Sequence, residues 1–361
     1  MKKLKVGIVG CGSIARGKHL PALKRLKDQV EVVAFCDIIE ERAVELNKLF
    51  ADGKGKVFVD YRDLLKLDLD AVYVLTPNIA HSEISVAALE SGKNVMCEKP
   101  MAINTAEAQK MVDAQRKSGK LLTIGYQNRY RGDSRFLKGE CEDGALGEIY
   151  FAKAHALRRR GVPTWGVFLD EKKQGGGPLI DIGTHALDLA LYMMNNYEPA
   201  YACGKTYHKL NKDTNTANSC GDWDPEKFTV EDSAFGFVVM KNGATIFLES
   251  SWALNITEER EASITLCGTQ GGATMPKQGK LELNYVRHNT QVTDVPNFEA
   301  GGILFNEGQP LGDSDIEAQT FINAILGKGK LTVLPEQALV VTKILEGIYE
   351  SDKTGKPYYF K

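Results

Sequence analysis

The sequence predicts an α/β protein in two parts: a doubly wound parallel sheet first, then an α/β domain with a large, mostly antiparallel open sheet. Three observations carry this. Short apolar runs alternate with amphipathic helical patterns over residues 1–125. A glycine-rich turn, Gly10-Cys11-Gly12-Ser13-Ile14-Ala15, separates the first run from the first helical pattern. Beyond Tyr126 the runs lengthen, and Asn242-Gly243 supplies a hairpin signal between two of them. A chain of 361 residues is also too long for one ordinary core. The boundaries read as 1–125 and 126–361.

The first-domain strands are Leu4–Val9, Val30–Cys36, Lys56–Val59, Ala71–Leu75, Asn94–Cys97 and Leu121–Tyr126. Most are near-continuous in apolar residues, as strands buried on both faces are. Glu40–Phe50, Ala80–Ser91 and Thr105–Ser118 read as the intervening helices. Strand–helix–strand repetition at this spacing requires right-handed crossovers, the Rossmann arrangement. In the second domain Glu148–Arg158 reads as a long strand and Ile180–Asn195 as a helix after the turn Gly175–Gly177. Val230–Met240 and Ala244–Ala253 flank Asn242-Gly243, which suits a type I′ turn with positive φ at both central residues. Glu261–Cys267 and Lys280–His288 are further strands. Two helices close the chain. One begins at a capping-box pattern, Ser314-Asp315-Ile316-Glu317, and the other at Pro335 with Ala338, Val341, Leu345 and Ile348 on one face.

Composition excludes several function classes. The chain is 43% apolar and 25% charged, with a formal net charge of −2, so no strong field points to nucleic acid or an anionic membrane. No signal peptide precedes the first strand, and no apolar run reaches membrane-spanning length. Seven cysteines are scattered without a Cys-x-x-Cys pair. An odd, unpatterned set argues against a disulfide framework and a zinc site and for a reducing compartment, the cytoplasm.

The glycine turn works by lacking side chains. Gly10 allows the tight turn, Gly12 lets the backbone approach a pyrophosphate, and Ala15 permits close helix–strand packing. The helix opening at Ser13 and Ile14 presents free N–H groups to the phosphates. Asp37 ends the second strand, where a carboxylate accepts from both hydroxyls of an adenosine ribose and repels a 2′-phosphate. No arginine directly follows it, so NAD is favoured over NADP, with Arg42 the residue that would reverse this. The competing reading of Asp37 is a helix N-cap. Thr76 and Asn78, after the fourth strand, are placed for the nicotinamide half of the cofactor. His81 is either a cofactor contact or an ordinary residue at a helix N-terminus.

Chemistry concentrates in two segments. Glu98-Lys99-Pro100 follows the fifth strand, where Lys99 is either a catalytic donor or a solvated loop lysine and Pro100 suits a cis turn. In the second, Asp181, His185 and Asp188 are spaced i, i+4, i+7 on a helix and so share a face. An acid beside a histidine is what general-base chemistry needs, because the carboxylate fixes the imidazole tautomer and its pKa. A metal site would need further ligands, and none is supplied; no metal is expected. Arg158-Arg159-Arg160 followed by Trp165 offers charged hydrogen-bonders and an aromatic platform for a sugar, or else a solvated strand end with a packing tryptophan.

Together these segments resemble the Gfo/Idh/MocA oxidoreductase family, that of glucose–fructose oxidoreductase and inositol dehydrogenase. The likeness rests on Gly10–Ala15, Glu98-Lys99-Pro100, Gly125-Tyr126-Gln127-Asn128-Arg129-Tyr130, the Asp181/His185 helix, and Val230-Glu231-Asp232 with the Asn242-Gly243 hairpin. It implies Lys99, Asp181 and His185 as catalytic residues, with Glu98, Lys99 and Gln127 near the cofactor. Lys99, Tyr126, Arg129, Arg158, Trp165, Asp181 and His185 are the expected substrate contacts. The implied reaction moves hydride from a sugar or polyol carbinol to NAD, with His185 taking the proton, Asp181 orienting it and Lys99 stabilising the oxygen. A homodimer or homotetramer built through the open sheet is a further implication. Two alternatives stay open: an NAD-dependent glycosidase using transient oxidation and elimination, and a non-enzymatic NAD-bound sugar sensor. Asp37→Ala is expected to weaken NAD binding and narrow the gap between NAD and NADP. Titration of both cofactors checks this, and unchanged affinity with unchanged preference overturns the assignment.

Overall fold

The computed structural model describes residues 2–298, 305–306 and 309–361. The chain divides into two compact units, Met1–Gln127 with Phe305–Leu339, and Asn128–Leu304 with Val340–Lys361.

The first unit holds six parallel strands, β1 (Leu4–Val9), β2 (Val30–Cys36), β3 (Lys56–Phe58), β4 (Ala71–Val74), β5 (Asn94–Cys97) and β6 (Leu122–Ile124). Their order is β3-β2-β1-β4-β5-β6, so the winding reverses between β1 and β4. The carboxyl ends of those two strands are the crevice where such sheets take ligands. Val6, Ile8, Val72 and Val74 are fully buried, as the unbroken apolar runs require. The helix Asp313–Ile325, late in the chain, completes this core with Ala318, Phe321 and Ile322.

That helix is capped two residues earlier than the capping-box expectation. It opens at Asp313, and the Asp315 carboxylate accepts from the Gly312 N–H at 2.8 Å. Glu317, expected as the capping acid, is 1% exposed and lies 3.0 Å from Lys18 Nζ. A buried ammonium claims that carboxylate more strongly than an exposed N–H does.

The second unit is built on β7 (Ile149–Leu157), β8 (Pro199–Tyr207), β9 (Ser233–Met240), β10 (Thr245–Ser251), β11 (Arg260–Gly268), β12 (Gly271–Thr274), β13 (Glu282–Arg287) and β14 (Thr290–Asp294). With Tyr358–Tyr359 they form one sheet in the order β14-β13-β12-β11-β7-β10-β9-β8 and the terminal strand. Only the β7–β10 pairing is parallel. The helix Thr184–Met194 packs on β7, β10 and β11. Farther along, Ile348 of the helix Pro335–Thr354 rests on Gly204 and Gly236, where a Cβ would come within 2.5 Å of it.

The β9–β10 hairpin forms where Asn242-Gly243 places it, but with a different turn. Only Gly243 has positive φ, at +89°, and its N–H donates to the Met240 carbonyl at 2.9 Å. This is a type I turn ending in a glycine bulge, not type I′, because the loop has one residue more than the two-residue class. Among the described residues no helix is long and apolar enough to cross a membrane.

Candidate active site

In the first unit the glycine turn is fixed by contact. Gly10 has φ +95°, and a Cβ there would lie 2.5 Å from the Leu75 carbonyl oxygen. A side chain at Gly12 would meet nothing within 4 Å, so that backbone faces open space at the start of the helix. Ser13 and Ile14 are exposed beside it. Asp37 accepts from the Cys11 N–H at 2.7 Å and from the Ile39 N–H at 2.9 Å. It does not cap the helix Glu40–Ala51, whose N-cap position is Ile39. Two N–H bonds leave a carboxylate with acceptor capacity for ribose hydroxyls. The next residue, Ile38, is 86% exposed, an apolar surface beside that acid. After β4, the Thr76 hydroxyl is buried without a hydrogen-bond partner among the described residues, and Asn78 opens a short 3₁₀ turn. Open backbone, a poised acid and an unsatisfied hydroxyl fit a dinucleotide.

The turn after β5 is anchored from below. Glu98 Oε1 lies 2.7 Å from both Lys18 Nζ and His19 Nε2, and its Oε2 accepts from the Lys99 N–H at 3.1 Å. Burial alone would raise this carboxyl, but Lys18 and His19 hold it well below the usual range. Lys18 also donates to Gln127 Oε1 at 2.7 Å. Glu98 and Gln127 therefore face a buried lysine. The Lys99–Pro100 peptide is cis. His81 is 1% exposed and braces two strand ends, with Nδ1 2.8 Å from the Pro100 carbonyl and Nε2 2.8 Å from the Thr76 carbonyl. Burial lowers its pKa against the pull of those carbonyls.

In the second unit Asp181 sits in a π-helical turn, Leu179–Gly183, that runs into the helix Thr184–Met194 bearing His185. Both are buried, at 9% and 8% exposure. The entry to this helix is clamped. Gly175 is left-handed at φ +82°, a Cβ on Gly176 would strike the Tyr349 hydroxyl, and one on Gly177 the Glu231 carbonyl. Glu231 accepts from the Gly177 N–H (2.9 Å), the Leu179 N–H (3.2 Å) and the Tyr349 hydroxyl (2.7 Å). Asp181 Oδ2 accepts from the Trp252 indole N–H at 3.0 Å.

The predicted three-residue face is divided. Asp188 turns into the core and takes Arg129 in a bidentate pair, at 2.9 and 2.6 Å. Arg129 is 1% exposed and stacks 4.5 Å from the Tyr192 ring. A fully buried guanidinium needs a counter-charge, and Asp188 is the acid within reach. Arg129 forms a buried ion pair, and Tyr126 is likewise fully buried. Arg158 is held by Glu261 at 2.7 and 2.6 Å. Trp165 is 53% exposed, its ring edge-on to Phe168 at 5.9 Å.

Residues 4–126 match the oxidoreductase family described as an NAD-binding Rossmann fold, and residues 138–360 match that family's C-terminal α/β domain. The chain belongs to the Gfo/Idh/MocA oxidoreductase family. It is an NAD-linked oxidoreductase by that membership. A D-glucoside 3-dehydrogenase of Escherichia coli (strain K12) is 35% identical over 98% of this chain and 96% of its own length. A glucose-6-phosphate 3-dehydrogenase of Bacillus subtilis (strain 168) is 30% identical over 73% of this chain and 72% of its own. The structure of levoglucosan dehydrogenase in complex with NADH superposes with a TM-score of 0.84 at 20% identity, covering 100% of both chains, a likeness of fold.

Sequence reasoning missed Lys18, His19, Trp252 and Tyr349, and gave Glu317 a capping role instead of its pairing with Lys18. Lys18 and His19 were within reach. They fall on the stripe of Ala15, Ala22 and Leu26, all buried, so the helical period puts two basic residues on the core face. Trp252 gives no comparable signal, because its partner is distant in sequence.

Burial raises the Glu231 carboxyl to about 7 against three donated hydrogen bonds. A raised acid favours the fold below its unfolded pKa, and that contribution is lost as pH rises through the folded value. Thermal stability of the family member should therefore fall between about pH 4.5 and pH 7 through this group. Glu231→Gln should flatten that part of the profile, and a variant with the wild-type slope overturns the assignment.

Proposed function

We propose that this oxidoreductase is an NAD-dependent dehydrogenase of a glucoside or related sugar, oxidising a secondary ring hydroxyl, with C3 the favoured carbon. The observation that carries the chemistry is a buried Asp181 one helical turn from His185, on a helix whose entry is clamped by Glu231. Similarity to the D-glucoside 3-dehydrogenase over nearly its whole length supports the substrate class.

NAD, when bound, would supply the acceptor for the hydride of the carbinol carbon. The chain's own residues handle binding and the proton. The Gly10–Ile14 turn and Asp37 would hold the pyrophosphate and ribose, and Thr76, Asn78 and the braced turn of His81 and Glu98 would serve the nicotinamide half. Lys99 donates to the reacting oxygen and stabilises negative charge on it. His185 takes the hydroxyl proton, and Asp181 orients the imidazole and balances its new charge. Trp165 and Arg158 are the sugar-facing candidates, as an exposed ring and a guanidinium fixed by Glu261.

The test is a screen of sugars and glycosides with NAD, reading reduced cofactor and released aglycone together. NADH in step with a keto-sugar supports the proposal, and aglycone release without net NADH overturns it. His185→Asn should keep NAD affinity and lower turnover by roughly 10²–10⁴, the range for a lost general base. The neutral limb of the rate–pH profile should vanish with it, and a variant that keeps rate and limb places the base elsewhere.

Seven free cysteines support a reducing compartment, the cytoplasm. Assembly into a homodimer or homotetramer has its support on the sheet face away from the helices. There Phe247, 44% exposed, packs 5.1 Å from Phe237 and 5.7 Å from Phe151. An apolar aromatic cluster on an open sheet suits a self-complementary interface. Phe247→Asp is expected to shift the protein to monomer in sedimentation equilibrium, and a monomeric wild type overturns this assembly.

A further inference from the structure

Trp252 follows β10 directly and is fully buried. Its backbone is fixed on both sides, with its N–H donating to the Asp232 carbonyl at 3.0 Å and its carbonyl accepting from the Gly161 N–H at 2.8 Å. Its ring packs against Phe168 and Phe228, each 6.3 Å away. The indole N–H donates to Asp181 Oδ2 at 3.0 Å. An indole nitrogen is a donor only and does not titrate. The bond it makes to a carboxylate is strongest when the carboxylate is ionised, and it dictates which oxygen turns toward the ring.

We propose that Trp252 is a positioning residue for the dehydrogenase reaction: it fixes the rotamer of Asp181, so that an oriented carboxylate awaits the imidazolium formed at His185. This rests on the reading of Asp181 and His185 as the catalytic pair. The same indole belongs to an edge-on aromatic run, Trp165 to Phe168 to Trp252, that links the exposed ring expected to meet the sugar with the buried acid. The segment bearing Trp165 and the orientation of Asp181 therefore share one packing unit.

Trp252→Phe keeps the apolar ring and removes the donor. The expected result is a tenfold to hundredfold fall in kcat, the range for a lost hydrogen bond to a charged group, with NAD affinity unchanged. The acid limb of kcat/KM should move to higher pH. The Arg158 guanidinium lies within electrostatic reach of Asp181 and favours its charged form, so losing the indole donor leaves more of that charge to stabilise the imidazolium at His185. A melting curve on the variant reports its folding. Asp181→Asn separates the two ideas. If Asp181→Asn keeps wild-type turnover, the catalytic reading fails. If Asp181→Asn is inactive while Trp252→Phe keeps the wild-type rate and pH profile, the inference about Trp252 fails alone. Should Trp252→Phe not fold, indole-nitrogen-labelled protein decides. The chain has three tryptophans, and Trp165→Phe and Trp223→Phe assign the other two indole signals. The Trp252 N–H resonance should move in Asp181→Asn, and an unmoved signal overturns the proposal.

Discussion

A carboxylate taken out of water must be given donors in return, or the cost of desolvation unfolds the site around it. This protein meets that demand repeatedly, each time at a turn bearing a candidate residue. Asp37 is met by the Cys11 N–H of the glycine turn. Glu98 is met by Lys18, His19 and the Lys99 N–H. Glu231 collects the N–H groups that open the Asp181 helix, and Asp188 takes Arg129 one turn beyond His185. Breaking any one would strand a buried charge or dipole, so the turns are held to one geometry.

The clamps leave the candidate residues little freedom of their own. The helix carrying Asp181 and His185 is fixed at its entry by Glu231 and Tyr349, at Asp181 by Trp252, and at Asp188 by Arg129. Catalytic geometry gains from supporting groups that do not move when the reaction does. In the first unit His81 performs the same service between the ends of β4 and β5.

Much of this was legible in the sequence, because it follows from period and steric need. Continuous apolar runs placed β1, β2 and β5 to the residue, and the glycine turn announced itself by the side chains it lacks. What escaped was pairing over long sequence separation. Nothing near Arg129 says that Asp188 will take it, and nothing near Trp252 points to Asp181. Glu317 misled by local chemistry: its capping-box spacing was real, yet a lysine 299 residues earlier had the stronger claim. Lys18 and His19 were the readable exception, since a basic residue on an apolar stripe asks for a buried acid.

The helix Asp313–Ile325 lends Ala318, Phe321 and Ile322 to a core whose strands all lie before residue 125. On the ribosome the first sheet must therefore wait for its lid. Roughly two hundred residues separate β6 from Phe321, on the order of 10–40 s of synthesis at ordinary elongation rates. Through that interval Tyr73, which Phe321 later meets edge-on at 5.8 Å, and the Lys18 ammonium have no Phe321 or Glu317 to meet them. The nascent chain carries an unfinished nucleotide domain through that interval.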